Sequence, residues 1–256
     1  MHRADVIEEA RALAAAGATL AEVVALTGVP RSTVRDWLSG AARGPRAQDA
    51  RRCGRCGDLH DAAVTETAAY AYLLGIYLGD GCISPGPRGV HRLRVNLDSR
   101  YPEIIEECAE SLRFLAPRNR VGRQLRSGGF ETSRPGSATE LSVYAKWWPC
   151  LIPQHGPGRK HRRPIVLVEW QAPVLGPHAG AFLRGLLHSD GCRFINTGTN
   201  WRHPRYSFSN RSDDIRGLFT SACDVLGLRW TTAPYTVYVS RKDDVARLDA
   251  IVGPKR

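Results

Sequence analysis

Residues 73–82 read Leu-Leu-Gly-Ile-Tyr-Leu-Gly-Asp-Gly-Cys, and residues 183–192 repeat the plan as Leu-Arg-Gly-Leu-Leu-His-Ser-Asp-Gly-Cys. The offset is 110 residues, the length of a small domain. Each copy is an apolar run with helical spacing that ends in an acid followed by glycine. In the first, Leu73, Ile76 and Tyr77 share a face suited to a core, while Leu74, Gly75, Leu78 and Gly79 form a second face. In the second, Leu183, Leu186 and Leu187 take the core face, and Arg184, Gly185, His188 and Ser189 take the other. Small residues at 75, 79, 185 and 189 let two helix backbones approach closely. The pattern predicts two helices packed against each other, joining two halves of one structure.

Asp80 and Asp190 then fall side by side at the two helix C-termini. A carboxylate there is unfavourable, because the terminal carbonyl oxygens already concentrate negative charge. A hard divalent cation, bound by carboxylate and carbonyl oxygens, removes that penalty. The alternative is that both acids merely end helices on a metal-free scaffold. Gly81 and Gly191 are expected to stop each helix in the left-handed conformation. Cys82 and Cys192 are expected to begin strands.

The twin motifs resemble those of the two-motif, single-chain LAGLIDADG homing endonucleases, over about residues 67–256. The resemblance implies an α+β fold with two pseudo-twofold αββαββα halves, 67–163 and 164–256, forming a saddle-shaped DNA-binding sheet. It implies Mg²⁺, with Mn²⁺ as substitute, held by Asp80 and Asp190 and by the carbonyls of Gly79 and Ser189. The metal would polarise phosphate and activate water. It also implies basic residues beside the cut phosphate, for which Lys146 and Lys242 occupy matching strand-end positions. The motif's first acid is replaced here by Leu78 and His188, at an interfacial position where Arg184 and His188 are expected to pair across the helix crossing. The implied activity is a metal-dependent double-strand cut at a long target site by a monomer.

Charge points to the same partner. The chain carries 36 Lys and Arg against 25 Asp and Glu, a formal net charge of +11, which favours a polyanion. Residues 1–45 hold five basic and five acidic residues and residues 46–66 four of each, so the excess lies in 67–256. Strand-like segments there alternate. Arg92, Arg94 and Asn96 alternate with Leu93, Val95 and Leu97, and Ser142, Tyr144 and Lys146 with Leu141, Val143 and Ala145. Arg205, Ser207 and Ser209 alternate with Tyr206 and Phe208, and Thr236, Tyr238 and Ser240 with Val237 and Val239. Each strand alone reads as a solvated face. Together they read as a surface for double-stranded DNA, with base-edge contacts from Arg92, Arg94, Asn96, Tyr144, Arg205, Tyr238 and Ser240. Two basic blocks, Arg118 to Arg126 and Arg159 to Arg163, suit phosphates.

Residues 1–45 read as a helix-turn-helix domain. Thr19 caps a helix bearing Leu20, Val23 and Val24, with Leu26 as a further core candidate. Gly28 suits a tight turn, and a following helix presents Arg31, Ser32, Thr33 and Arg35 to DNA. The rival reading is an ordinary three-helix unit. Residues 46–66 read as a linker. Within it Cys53, Cys56 and His60 lack the second cysteine pair of a four-ligand zinc site, so a degenerate knuckle or two loop thiols is expected rather than bound zinc. The N-terminus has no export signal, no run is long enough for a membrane span, and the seven cysteines read as reduced thiols, which together predict a cytoplasmic protein. Two rival functions use the same scaffold: a DNA-binding transcriptional regulator that does not cut, and an RNA-splicing helper.

Overall fold

The structure is a computed structural model and describes residues 4–38, 53–58, 60–127 and 136–253. Residues 46–52 and 59 of the expected linker lie outside the described residues. The chain divides into two compact units, Met1–Arg51 and Arg52–Arg256, so the cysteine-bearing segment clusters with the second unit.

The first unit holds three helices: α1 (Ala4–Ala15), α2 (Leu20–Thr27) and α3 (Arg31–Leu38). A capping box starts α2, with the Thr19 N–H donating to the Glu22 carboxylate at 2.7 Å and the Glu22 N–H to the Thr19 hydroxyl at 3.4 Å. Gly28, at φ 63°, ends α2 in the left-handed region, and its N–H closes on the Val24 carbonyl at 3.0 Å. Ala10, Val23, Val29 and Val34 form the buried core. Leu26 does not join it. It is 66% exposed, because six residues past Leu20 it lies well around the helix from the stripe centred on Leu20, Val23 and Val24.

The second unit repeats one plan twice. The first half runs α4 (Ala68–Asp80), β1 (Gly81–Pro85), β2 (His91–Asp98), α5 (Pro102–Leu115), β3 (Gly122–Arg126), β4 (Ala138–Ala145) and α6 (Trp148–Leu151). A short connecting helix, α7 (Ala172–Leu175), leads to the second: α8 (Ala179–Asp190), β5 (Gly191–Gly198), β6 (Trp201–Ser209), α9 (Asp213–Val225), β7 (Thr231–Ala233), β8 (Thr236–Val239) and α10 (Lys242–Val252). Both sheets are antiparallel with equivalent orders, β1-β2-β4-β3 and β5-β6-β8-β7. This is the expected αββαββα order in each half. The registers superpose as well. Gly81 faces Val95, which faces Leu141; Gly191 faces Phe208, which faces Val237. Arg92 is therefore the counterpart of Arg205, and Lys146 of Lys242.

One face of each sheet is core. Leu93, Val95, Leu97, Leu141 and Val143 are buried in the first half; Tyr206, Phe208, Val237 and Val239 in the second. Phe208 stacks on Phe219 of α9 with ring centroids 4.5 Å apart. Helix α4 is buried on every side from Tyr70 to Leu78, because its second face is covered by α8. The crossing is tight. A Cβ on Gly75 would stand 2.4 Å from the Phe182 carbonyl oxygen, and one on Gly185 would stand 2.2 Å from that of Tyr72. These are backbone atoms, which cannot swing aside as a side-chain tip can.

Gly81 and Gly191 differ from expectation. They lie at φ −91° and −96°, in extended backbone, not in the left-handed region. Each helix passes directly into a strand, so no reversal is needed. Glycine is required instead by crowding: a Cβ would come within 2.6 Å of the Tyr77 Cα and 2.5 Å of the Leu187 Cα respectively.

The crossing yields a direct prediction. Gly185→Ala destabilises the chain by about 1–3 kcal/mol or more, the cost of overpacking against backbone. Gly217→Ala in α9, where a Cβ meets nothing within 4 Å, leaves stability unchanged or raises it by about 0.5–1 kcal/mol. Denaturant midpoints of the two variants check the contrast.

Candidate active site

Asp80 and Asp190 are the last residues of α4 and α8. The crossing one turn earlier sets how close those ends come. The Cβ position on Gly79 lies 2.2 Å from the Ser189 Oγ and 3.1 Å from an Asp190 carboxylate oxygen. The Asp190 carboxylate therefore lies against the backbone that carries Asp80. The Asn210 amide, just past β6, donates to the same Asp190 oxygen at 2.7 Å and fixes its direction.

Lys160 enters this site from outside both motifs. It sits in a 3₁₀ turn, Lys160–Arg162, and its Nζ donates to the carbonyls of Tyr77 at 2.5 Å and Gly79 at 3.0 Å. The ammonium also lies over the Tyr77 ring, 4.8 Å from its centroid. Burial pushes its pKa down to about 8, opposed by the charges of Asp80 and then Asp190, which hold the proton on. One ammonium thus feels both carboxylates, and it caps carbonyls at the negative end of α4. By sequence position Lys160 belongs to a block suited to phosphate contacts. Its distance from the motifs along the chain hid the role, and nothing in its local pattern marks it.

The oxygen donors fit a hard cation: two carboxylates with the Gly79 and Ser189 carbonyls at their roots. Beside Asp80 opens a cleft of about 210 Å³, lined also by Asp98, Arg100, Tyr101, His188 and Ser189. Asp98 in that wall is paired with Arg100 at 2.7 Å. Lys146, just past β4, and its register counterpart Lys242, which is the first residue of α10 rather than a strand end, are both exposed.

Arg184 and His188 each reach from α8 to the first half, as expected, and the structure supplies the partners. Arg184 forms a two-pronged pair with Glu107 of α5, both contacts 2.7 Å. Both side chains are near a third exposed, so the pair contributes about 1 kcal/mol at most. His188 is buried, with Nε2 3.2 Å from the Val252 carbonyl and Nδ1 3.0 Å from the Tyr72 hydroxyl. A carbonyl only accepts, so Nε2 carries a hydrogen there. His188 therefore ties the halves together.

On the sheet faces the two halves place equivalent arginines beside tyrosines. The Arg92 guanidinium lies 5.4 Å from the Tyr144 ring centroid, and that of Arg205 lies 3.9 Å from the Tyr238 ring centroid. Arg205 also donates to Ser240 at 2.7 Å, and Arg94 to Ser84 at 2.9 Å. Tyr144, Asn96 and Ser240 are exposed, and Tyr238 is half-buried. Sequence alternation missed one occupant of this face: buried Glu140 takes Arg92 at 2.6 Å and Arg126 at 3.4 Å, committing part of the positive charge internally. It also missed a shallow hollow of about 430 Å³ on the second sheet, lined by Asn196, Trp201, His203, Pro204, Arg205 and Ser240. In the first unit Arg31, Ser32 and Arg35 are exposed on α3, with Thr33 half-buried. Cys53 and Cys56 flank a tight turn at the start of the second unit, closed by the Cys53 N–H on the Asp58 carbonyl at 2.9 Å.

No family model and no curated protein matches this chain. Among solved structures it is similar to the N-terminal LAGLIDADG domain of DUF199/WhiA, at 13% identity and a TM-score of 0.45, over 75% of this chain and 83% of that one. It is similar to full-length DUF199/WhiA from Thermatoga maritima at 12% identity and a TM-score of 0.46, over 77% of this chain and 58% of that one. A third likeness is to the homing endonuclease I-WcaI bound to its DNA recognition sequence, at 11% identity and a TM-score of 0.46, over 73% of this chain and 81% of that one. Among the described residues no helix is long and apolar enough to cross a membrane.

Lys160→Met tests the charge balance of the paired helix ends. Removing the ammonium leaves two carboxylates facing helix carbonyls, and the variant is expected to lose roughly 1–3 kcal/mol in chelator. Added Mg²⁺ or Ca²⁺ should raise its Tm by more than it raises the wild-type Tm, as followed by thermal scans with and without metal.

Proposed function

We propose that this chain is a DNA endonuclease that makes a metal-dependent double-strand cut at a long site as a monomer. One observation carries the reading: two acids from distant motifs and one half-buried lysine converge where two pseudo-symmetric halves meet. Asp80 and Asp190, with the Gly79 and Ser189 carbonyls, would hold Mg²⁺ or Mn²⁺, which polarises the scissile phosphate and lowers the pKa of bound water. Asn210 keeps the Asp190 carboxylate aimed at the shared site. Lys160 places positive charge beside the carboxylates, where negative charge develops on the phosphate. Lys146 and Lys242, exposed at equivalent positions, would reach the phosphate of their own half.

DNA is the substrate class that the charge supports. The excess of +11 sits in residues 67–256, which carry the acids. Arg92, Arg94, Asn96, Tyr144, Arg205, Tyr238 and Ser240 would read base edges from the two sheets. The exposed Arg31, Ser32 and Arg35, with Thr33, would make α3 a recognition helix and the first unit a helix-turn-helix module that extends the site.

A specific observation favours a second reading, a transcriptional regulator that binds DNA without cutting. Lys160 already neutralises the anionic helix ends and occupies the Gly79 carbonyl. A site balanced by a built-in cation has less need of a bound one.

The readings part on an assay with a selected DNA target. The nuclease reading expects cleavage that requires Mg²⁺ and falls by at least about a hundredfold in Asp80→Asn with Asp190→Asn, with binding retained. Equal behaviour of wild type and this double variant in Mg²⁺, both binding and neither cutting, would leave the regulator. In either case log affinity should fall steeply with log salt concentration, as phosphate contacts require.

A further inference from the structure

The segment that sequence spacing left as a knuckle without enough ligands acquires its fourth ligand from the fold. Cys150, in α6, lies against Cys53, Cys56 and His60, and the four ligand atoms all fall within 4.8 Å of one another. We propose that these residues form a structural zinc site, Cys53, Cys56, His60 and Cys150, that pins the start of the second unit to the end of its first half.

One edge of the cluster has the length found in a tetrahedral zinc centre. Zinc–sulfur bonds of about 2.3 Å at the tetrahedral angle set two sulfurs ~3.8 Å apart. The Cys53 and Cys150 sulfurs are 3.8 Å apart. A disulfide would need ~2.05 Å, about half that separation. The Cys56 sulfur is 3.2 Å from Nε2 of His60, so this nitrogen is the one aimed at the cluster. The other ring nitrogen, Nδ1, lies 3.4 Å from the Asp61 carbonyl. A hydrogen on Nδ1 donating to that carbonyl leaves the Nε2 lone pair for a metal, the outer contact that metal-bound histidines characteristically make.

The backbone is shaped to match. Gly57 follows the second cysteine at φ 75°, a conformation that a side chain would strain, and its N–H returns to the Cys53 carbonyl at 2.8 Å. That reversal brings His60 back beside the cysteines. The surroundings are aromatic: the His60 ring lies 5.4 Å from Trp147, and the Arg55 guanidinium sits 3.8 Å over Trp170.

All four positions are protein ligands, so none is left for water or substrate, and the site is structural. Its place explains its use. The knuckle lies just ahead of the 3₁₀ turn Ala63–Glu66 that leads into α4, and it offers few apolar side chains with which to anchor that lead-in. Metal binding would supply the anchoring that a core supplies elsewhere. A Cys₃His site is chemically separate from the oxygen site at Asp80 and Asp190.

The full chain, purified from zinc-supplemented cells under reducing conditions without chelator, is expected to carry one zinc per molecule by plasma mass spectrometry. Replacement by Co²⁺ should give the intense visible bands of tetrahedral thiolate coordination. Cys150→Ser should lose the zinc and the bands, whereas Cys223→Ser, a buried thiol in α9, should keep both. Asp80→Asn with Asp190→Asn should also keep both, so failure of the nuclease reading leaves this test intact. Metal-free wild type from supplemented cells, a Cys53–Cys150 disulfide in its non-reducing peptide map, or an unchanged cobalt spectrum in Cys150→Ser would each overturn the proposal. Should Cys150→Ser fail to fold, the zinc content and cobalt spectrum of wild type still decide.

Discussion

The second unit depends on one close approach, the crossing of α4 and α8 at Gly75 and Gly185. Two helices with ordinary side chains at the contact stay 8–10 Å apart along their axes. Here each glycine leaves room for the other helix's backbone, as the sub-3 Å distances from hypothetical Cβ atoms to carbonyl oxygens show. The crossing buries α4 from Tyr70 to Leu78 and merges what would be two cores into one. It also determines where both helices end, and so where Asp80 and Asp190 stand.

That placement creates an electrostatic problem that the chain answers at several removes. Two carboxylates join two carbonyl-rich helix ends. Lys160 supplies an ammonium to the carbonyls of Tyr77 and Gly79, and Asn210 supplies a neutral donor to Asp190. The two ends are not equivalent: Lys160 caps α4, whereas Asn210 serves the acid of α8. The register counterpart of Asn210 in the first half is Leu97, which cannot donate. Pseudo-symmetry of the backbone is therefore not symmetry of the site. The same holds at the crossing, where Glu107 and Tyr72 of the first half hold Arg184 and His188 of the second.

Much of this was legible beforehand, for identifiable reasons. Helical spacing in residues 73–80 and 183–190 separates a core face from a crossing face because packing acts on a helix side by side with its 3.6-residue period. Alternation in β2, β6 and β8 survives because sheet faces are buried or exposed with period two, whereas β4 is buried almost throughout, Glu140 and Ser142 included. The readings that changed concerned contacts and backbone angles. Gly81 and Gly191 looked like left-handed stops, but the chain continues straight into a strand and glycine answers crowding instead. Leu26 looked like core, but its angle around α2 faces it outward. Glu140, hidden in a strand read as basic and polar, turns out to pair with Arg92.

From its sequence alone this protein declares the paired motifs, the faces of their helices, the acids that end them and the confinement of positive charge to one region. These are local or compositional properties, and short-range spacing records them. Tertiary structure alone assigned Lys160 to the helix end 81 residues before it, Glu107 to Arg184 across 77 residues, and Cys150 to Cys53 across 97. Such partners are chosen by where the packed elements bring the chain back on itself, and no periodicity in the sequence encodes that return.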